Sequence, residues 1–430
     1  VQSIDFTLEQ DGVLAIGAAF APAGGKEEAA LTDLRKQIDE VRKKKVSASE
    51  LEKAKNQQLK GLVTENLRIA YKASLLGNSA VLEGDTSRVN KRLDDIRKTT
   101  SDDLLRVAKK YLDPERALTF HIKRNLSGMF NKKPNPEDEA PITGKPETSP
   151  PPPGRPGVTR PAEYPAAPPL KGALDFDPTP LFETRILSNG LKVVVVENHE
   201  VPFVSMWLGL RAGACTEKKP GTASMAMSML KKGTRKHSEG KLAEELERYA
   251  IGLGGSAGMD TSSVTANCLT EQAERATKLM AEILMTPAFD AKELEKLRRQ
   301  VMTDLAVASA EPSYIASREM RKRLYGENPY SRTVQGEVQD VKTLTVNDLK
   351  EWWFAFARPD LGVLYFSGDI TIYRAVELSE QAFGSWKATE PKPETKLAPI
   401  PESAPTHIYL VDKAGDQSQI RIAQLGITYT

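Results

Sequence analysis

The chain contains an internal repeat, and this repeat is the sequence feature that most restricts how it can fold. A short block at 49–55, SELEKAK, matches KELEKLR at 292–298. A longer block at 96–120, IRKTTSDDLLRVAKKYLDPERALTF, matches VKTLTVNDLKEWWFAFARPDLGVLY at 341–365 at a constant offset. Because the blocks recur in the same order, true repetition explains them better than chance similarity between amphipathic helices. The chain is therefore predicted to contain two units of one type.

Strand and helix patterns within both units predict an α/β fold. The first unit is predicted to hold two strands within 5–21 about a turn at Asp11-Gly12, helices over 26–45, from Ser47 or Ser49 to Gly77, and over 100–111, and a strand over 117–122. In the second unit, a hairpin with an Asn-Gly turn joins strands over 182–187 and 191–197. It continues with strands over 201–212, 262–269 and 361–366, and with helices over 221–234, 239–253, 271–285, 291–308, 313–324, 345–356 and 372–386.

Proline-rich segments mark the predicted domain boundaries. The run SPPPPGRPGVTRPAEYPAAPP cannot sustain a helix or a sheet ladder, because proline lacks an amide donor, so it is predicted to be an extended linker, with an SH3-type ligand as a weaker alternative. The predicted parts are 1–131, a first lobe truncated at its N-terminus; 132–181, the linker; 182–389, a second lobe; and 390–430, a joint with the start of a following lobe.

Composition excludes several classes of function. A formal net charge of +2 gives no electrostatic case for nucleic-acid binding. The apolar stretches fall short of the roughly 20 residues that a membrane-spanning helix needs. The first residues carry no targeting signal, so no compartment is predicted; export to a bacterial periplasm is expected if a signal precedes Val1. Cys215 and Cys268 are interpreted as isolated thiols, although the sequence leaves a disulfide between them open.

One stretch carries a resemblance to a known family. Residues 188–234 read SNGLKVVVVENHEVPFVSMWLGLRAGACTEKKPGTASMAMSMLKKGT, and residues 286–305 read TPAFDAKELEKLRRQVMTDL. Together they resemble the pitrilysin/insulinase family of zinc metallopeptidases. The resemblance implies repeated α/β (α+β) lobes, each with a mainly antiparallel sheet packed with long helices, that close like a clamshell around unfolded peptides.

The family's zinc motif is degenerate in this chain. In active members, the helix after the glycine carries His-x-x-Glu-His, in which the two histidines bind zinc and the Glu is the general base. Aligned with this chain, the histidines fall on Ser224 and Ser228, the Glu on Met227, and a third ligand at or next to Asp304. The four histidines of the chain are scattered and do not replace them. No catalytic residue, metal ligand or cofactor is predicted here; zinc is expected in the full-length protein if its first half is active.

The glycine-rich segment 252–258 superficially resembles a dinucleotide-binding loop. It follows a helix and precedes a strand, which is the reverse of the order that places a phosphate at a helix N-terminus. We predict instead a flexible turn before an edge strand. The resemblance implies that such a strand can receive an extended peptide by β-augmentation. The candidate peptide-binding residues are Gly258, Ser262, Ser263 and Val264.

Two functions are consistent with this sequence. The first is a section of a pitrilysin/insulinase-like metalloendopeptidase that contributes non-catalytic chamber lobes and binds unfolded peptides. The alternative is a catalytically inactive structural or assembly subunit, like the core subunits that this family contributes to respiratory complexes. The expected partners are a peptide or unfolded protein, and the missing lobes of the same protein or a catalytic partner subunit. A His-x-x-Glu-His motif before Val1 would favour the first function.

Overall fold

The structure is a computed structural model of the 430-residue chain. It describes residues 2–7, 12–17, 27–120, 181–388, 391, 393–401, 407–412 and 418–426. Contacts between residues divide the chain into two units. One comprises Val1–Lys44 and Arg106–Thr179, and the other Lys45–Leu105 and Pro180–Thr430.

The start of the chain forms a hairpin and a helix. Strands β1 (Gln2–Thr7) and β2 (Gly12–Gly17) pair antiparallel, and α1 spans Glu27–Lys43. The two strands and this helix confirm the prediction, whereas the turn at Asp11 lies outside the described residues. The predicted strand over 117–122 is wrong where it can be examined, because 117–120 form no strand. Residues 121–122 lie outside the described part.

Four helices follow, and one helix that the sequence predicted as continuous is broken in two. They are α2 (Ala48–Glu65), α3 (Ile69–Leu82), α4 (Arg88–Lys98) and α5 (Ser101–Tyr111). The unbroken helix predicted up to Gly77 is wrong, since the chain turns between α2 and α3. The amides of Leu67 and Arg68 donate to carbonyls three residues back, and the Thr64 hydroxyl bonds to the backbone of the preceding turn. Such side-chain bonds compete with regular helix formation.

The second unit is built on a six-stranded sheet. Its strands run in the order β3-β4-β8-β5-β7-β6, and every neighbouring pair is antiparallel except the parallel β4 and β8. The mainly antiparallel sheet is thus confirmed, as is the Asn-Gly hairpin, where Gly190 adopts a φ of 89°. The strands are β3 (Glu183–Ile186), β4 (Lys192–Glu197), β5 (Phe203–Leu210), β6 (Gly252–Ala257), β7 (Ser262–Leu269) and β8 (Gly362–Gly368).

Helices pack against this sheet around one large hydrophobic core. Alternate residues of the central strands, among them Val193, Met206 and Leu364, are buried in it. Among the described residues, no helix is long and apolar enough to cross a membrane. The helices are α6 (Thr222–Met229), α7 (Glu239–Arg248), α8 (Ala273–Met285), α9 (Ala291–Ala308), α10 (Pro312–Tyr325), α11 (Val338–Thr343), α12 (Val346–Phe356) and α13 (Ile372–Phe383).

The repeated sequence blocks adopt the same local structure. Both α5 and α12 have 11 residues and begin with a capping box, formed by Thr100 with Asp103 and by Thr345 with Asp348. The helices that begin with the SELEKAK and KELEKLR blocks, α2 and α9, both have 18 residues. The sequence repeat is therefore also a repeat of structural elements.

Packing and repetition divide the chain differently. The repeat assigns 45–105 to the predicted first lobe, whereas contacts group these residues with 180–430. Common origin and packing are separate properties, so the boundaries 1–131, 132–181, 182–389 and 390–430 stay a prediction. The predicted strand at HIYLVDK is wrong for the residues that are described, since 407–412 form no strand.

Candidate functional site

The helix α6 is fixed at its N-terminus by a glycine and a buried carboxylate. Gly221 adopts a φ of 85°, and a Cβ atom there would lie 2.6 Å from the carbonyl oxygen of Gln335. The two carboxylate oxygens of Glu217 accept hydrogen bonds from the amides of Gly221 and Ala223, both at 2.8 Å. Burial raises the pKa of Glu217 to about 8, although these amide donors act in the opposite direction. Glycine and carboxylate together set where α6 begins.

The three motif positions on α6 face different environments. Ser224 and Ser228 lie one turn apart on the same face and are only partly buried. The Ser228 hydroxyl donates to the carbonyl oxygen of Ser224 at 2.9 Å. Met227, in contrast, is fully buried in the hydrophobic core. The structure thus brings two of the three positions together at a surface and places the third in the core.

A cleft of about 420 Å³ opens over the two serines. Its walls are α6, the edge strand β6, one face of α10 and the loop at 333–335. The lining residues are Ser224, Ser228, Gly255, Ser256, Ala257, Tyr314, Ser317, Arg318, Arg321, Thr333, Val334 and Gln335. The volume lies within the range of small-ligand sites, roughly 300–1,000 Å³.

The structure does not bring Asp304 to this cleft. Asp304 is exposed on α9 and is not one of the lining residues. Within the described ranges, no group of three or more His, Cys, Asp or Glu side chains could hold a metal ion. His199 and His237 instead pair with carboxylates, His199 with Asp369 at 2.6 Å and His237 with Glu282 at 2.8 Å.

The edge strand at this end of the sheet is β6 rather than β7, which the sequence indicated. β7 pairs with β5 on one side and β6 on the other, so the prediction that β7 is the edge strand is wrong. Ser262 and Val264 are 1% and 0% exposed, and Ser263 pairs with Ser256 of β6. Gly258 follows β6 and donates its amide to Thr261. Peptide contact by these four residues stays a prediction. Ser262, Ser263 and Val264 lie on β7, one strand away from the unpaired edge of β6.

The glycine content of β6 concealed this strand from sequence reasoning. A Cβ atom on Gly255 would lie 2.9 Å from the Met227 carbonyl oxygen and 3.2 Å from the Met227 Cε. The glycine therefore permits close contact between α6 and the edge strand, as glycines within strands often do. The usual strand signal, which depends on branched and aromatic side chains, is absent from GLGGSA.

Sequence reasoning also missed the charged side chains of the cleft. Arg318 and Arg321 lie three residues apart on α10 and both line it. Their spacing, i and i+3 on a helix predicted at 313–324, was the available signal. Cys215 and Cys268 lie elsewhere and are both free thiols, so the disulfide that the sequence left open is not formed in this structure.

The second unit thus combines a mainly antiparallel sheet, a helix that begins at a glycine and packs against an edge strand, and a cleft along that strand. Residues 192–337 match the family described as Insulinase (Peptidase family M16), and residues 343–430 match the family described as Peptidase M16 inactive domain. The chain belongs to this insulinase peptidase family.

The relatives include one protein named a non-peptidase homolog and one named a peptidase subunit. The chain is 26% identical over 188 residues to "Non-peptidase homolog YmxG" of Helicobacter pylori, a match that covers 43% of this chain and 44% of the relative. It is 24% identical over 207 residues to "Probable mitochondrial-processing peptidase subunit beta" of Schizosaccharomyces pombe, covering 48% of this chain and 45% of that one.

A solved "peptidase M16 inactive domain" from Pseudomonas fluorescens is 27% identical, with a TM-score of 0.47, and the match covers 52% of this chain and 54% of that one. The chain spans less than half the length of these two curated relatives. The family matches fit a non-catalytic lobe or an inactive structural subunit.

Proposed function

We propose that this chain provides a non-catalytic lobe of a peptide chamber and binds an unfolded peptide as an added strand on β6. The observation that carries the proposal is the position of β6, which is an edge strand of the sheet and also borders the cleft over Ser224 and Ser228. An extended peptide that pairs with β6 would pass along this cleft.

The composition of β6 suits strand addition. An edge strand presents unpaired amide and carbonyl groups, which a peptide can satisfy with main-chain hydrogen bonds. Gly252, Gly254 and Gly255 carry no side chains that would obstruct the approach of a second backbone. The cleft beside the strand has room for side chains that project from the bound peptide.

None of the described residues that line the cleft is suited to catalyse peptide hydrolysis. Hydrolysis of an amide needs an activated water or an activated nucleophile. Ser224 and Ser228 lie near neither a histidine nor a carboxylate among the cleft-lining residues, and the Ser228 hydroxyl is bonded to a backbone carbonyl. We therefore assign binding rather than cleavage to this lobe, and zinc chemistry, where it occurs, to the remaining lobes of the full protein or to a catalytic partner subunit.

Backbone-methylated peptides test strand addition without altering the protein. Alternate amides of an added strand face β6 and solvent, so two isomers of one fluorescent 10-residue peptide, N-methylated on alternate sets of residues, should differ. We expect one isomer to lose binding by at least about tenfold in fluorescence anisotropy, as two or more hydrogen bonds are lost. The other isomer should retain it. Equal affinity of both isomers would contradict strand addition.

A cleft-filling substitution provides the matched protein control. Ser224→Phe places a ring in the cleft and should weaken peptide binding, since the peptide then meets the ring. Ser367→Phe puts the same ring on an exposed position of β8, outside the cleft, and should leave binding unchanged. Circular dichroism on both variants checks that the fold is retained.

The alternative function is that of an inactive structural subunit. It is favoured by the match to a family described as an inactive domain and by a relative named a non-peptidase homolog. This alternative requires no peptide binding by the β6 edge. Failure of all unstructured peptides to bind at millimolar concentration would therefore favour it over the chamber-lobe function.

A further inference from the structure

The charged side chains that line the cleft in the described part of the chain are all positive. Arg318 and Arg321 line it, and no Asp, Glu, Lys or His is among the lining residues of the described part of the chain. A basic wall beside an edge strand places positive charge along the path of a bound peptide. The charge on that wall therefore bears on which peptides the strand can accept.

Ion pairs on α10 leave one of these arginines uncompensated. Arg318 pairs with Glu319 at 3.1 Å, and Lys322 pairs with Glu337 at 2.8 Å, so these four charges cancel. Arg321 is exposed and makes no hydrogen bond or ion pair that the structure shows with the described residues. The guanidinium of Arg321 thus supplies a net positive charge at the edge of the cleft.

The neighbouring groups suit an anionic ligand. Arginine presents donors in a planar fork that matches a carboxylate. The Tyr314 and Ser224 hydroxyls and the Gln335 amide line the same cleft and add neutral hydrogen-bonding groups. A lysine side chain entering the cleft would instead meet two guanidinium groups, and none of the described lining residues is a carboxylate. The same argument disfavours a metal cation there.

We propose that the cleft selects extended peptides that carry a carboxylate, which Arg321 binds with Arg318 while the peptide backbone pairs with β6. This inference rests on the proposed peptide-binding function. To that function it adds a class of ligand, namely acidic peptides rather than neutral or basic ones. The carboxylate has two possible sources, an Asp or Glu side chain or a free C-terminus.

A set of four labelled peptides tests the selection on the full chain. Three are C-terminal amides that differ at two central residues, Glu, Gln or Lys, and the fourth is the Gln peptide with a free C-terminal carboxylate. At low ionic strength, we expect the Glu peptide to bind about fivefold more tightly than the Gln peptide, and the Lys peptide to bind most weakly. The preference should shrink as salt is added. Tight binding of the free-acid Gln peptide would identify the terminal carboxylate as the source.

Three variants on one helix assign the effect to Arg321. Arg321→Gln should abolish the preference for Glu over Gln, and Arg321→Glu should reverse it in favour of the Lys peptide. Arg323→Gln, an exposed arginine of α10 outside the cleft, serves as the matched control and should behave as the wild type. Because Arg321 and Arg323 are exposed, these substitutions leave the core intact.

The outcomes separate this inference from the function on which it rests. If the Glu, Gln and Lys peptides bind equally, or the Lys peptide binds best, the acidic selection is wrong and strand addition stands. If the preference persists in Arg321→Gln, the assignment to this residue is wrong. If no peptide binds at all, the proposed function itself is contradicted.

Discussion

The carboxylate of Glu217 should make stability depend on pH. Burial raises its pKa to about 8 in the folded chain, from the ordinary value of 4.5. The folded state therefore binds this proton more tightly than the unfolded state, and the stabilisation is fully present below pH 4.5 and lost as pH rises through about 8. Within that window, we expect the free energy of unfolding to fall by about 1 kcal/mol per pH unit from this group alone.

Chemical denaturation at several pH values measures this slope. Glu217→Gln removes the titrating group, so the variant should show a flatter pH profile, although its amide replaces only one of the two acceptor oxygens and lowers stability at pH 5. Glu271→Gln, at an exposed position, should keep the wild-type slope. An identical slope in Glu217→Gln and the wild type would show that the buried carboxylate does not titrate in this range.

Residue spacing predicted part of the site and missed the rest. The i, i+4 relation of Ser224 and Ser228 was enough to place them on one face of a helix, and the structure has them there. Three other features depend on how α6, β6, α9 and α10 pack. They are the separation of the two serines from Asp304, the edge position of β6, which contains Gly255, and the location of Arg321 in the cleft. Such contacts join residues far apart in the sequence, so no local pattern reports them.

The helix α2 packs on the sheet of the second unit through a small apolar cluster. Leu59 and Val63 of α2 are 6% and 4% exposed, and they lie against Phe203 and Leu269 at the ends of β5 and β7. The Asn56 amide also donates to the carbonyl oxygen of Arg248 at 2.8 Å. Residues 45–105 are thus held to this sheet by both apolar and polar contacts.

Truncation of Leu59 tests whether this cluster stabilises the unit. Leu59→Ala should lower the free energy of unfolding by about 2–4 kcal/mol, because it removes a buried side chain and leaves a cavity. Leu76 of α3 is 47% exposed, so Leu76→Ala should lower the free energy of unfolding by less than about 0.5 kcal/mol. Denaturation monitored by the fluorescence of Trp207 and the other tryptophans, all of which lie in the second unit, follows the transition. Equal effects of both substitutions would contradict the packing of α2 on the sheet.

Elements with strong local signals were predicted, and those without were not. Capping boxes at Ser47 and Thr345 mark helices that begin where the sequence placed them. The break between α2 and α3 was missed because apolar periodicity continues through it. β6 was missed because its glycines carry no side-chain pattern, and its strand conformation comes from pairing with β7.

At the scale of the whole molecule, the repeat and the family were accessible from sequence, whereas the packing of units was not. Matching blocks predicted two similar sets of elements, and the paired helices α5 and α12 have the same length and caps. That 45–105 pack with 180–430 follows from contacts such as Lys53 with Glu247, between residues almost 200 positions apart. Neither segment alone carries a sequence pattern that predicts these contacts.

We expect the chain to hold no stoichiometric zinc, because the positions that the resemblance assigns to the zinc ligands carry residues that do not suit zinc. After dialysis, elemental analysis of the purified chain should find far less than one zinc per chain, because Ser224 and Ser228 are poor ligands and Asp304 lies outside the cleft. One tightly held zinc per wild-type chain would contradict the interpretation of this lobe as non-catalytic.

Substituting the family's motif residues separately distinguishes two effects, the absence of zinc ligands at positions 224 and 228 and the packing of the core around position 227. Ser224→His with Ser228→His puts two imidazoles on the cleft face of α6, so added zinc should raise the thermal midpoint of this variant and not that of the wild type. Met227→Glu should instead destabilise the chain by at least about 2 kcal/mol, because it buries an unpaired carboxylate in the core. If Met227→Glu were neutral, the core around α6 would still be compatible with the catalytic residue. If it is destabilising, the lobe has repacked around methionine, and recovery of zinc binding alone would not recover a peptidase.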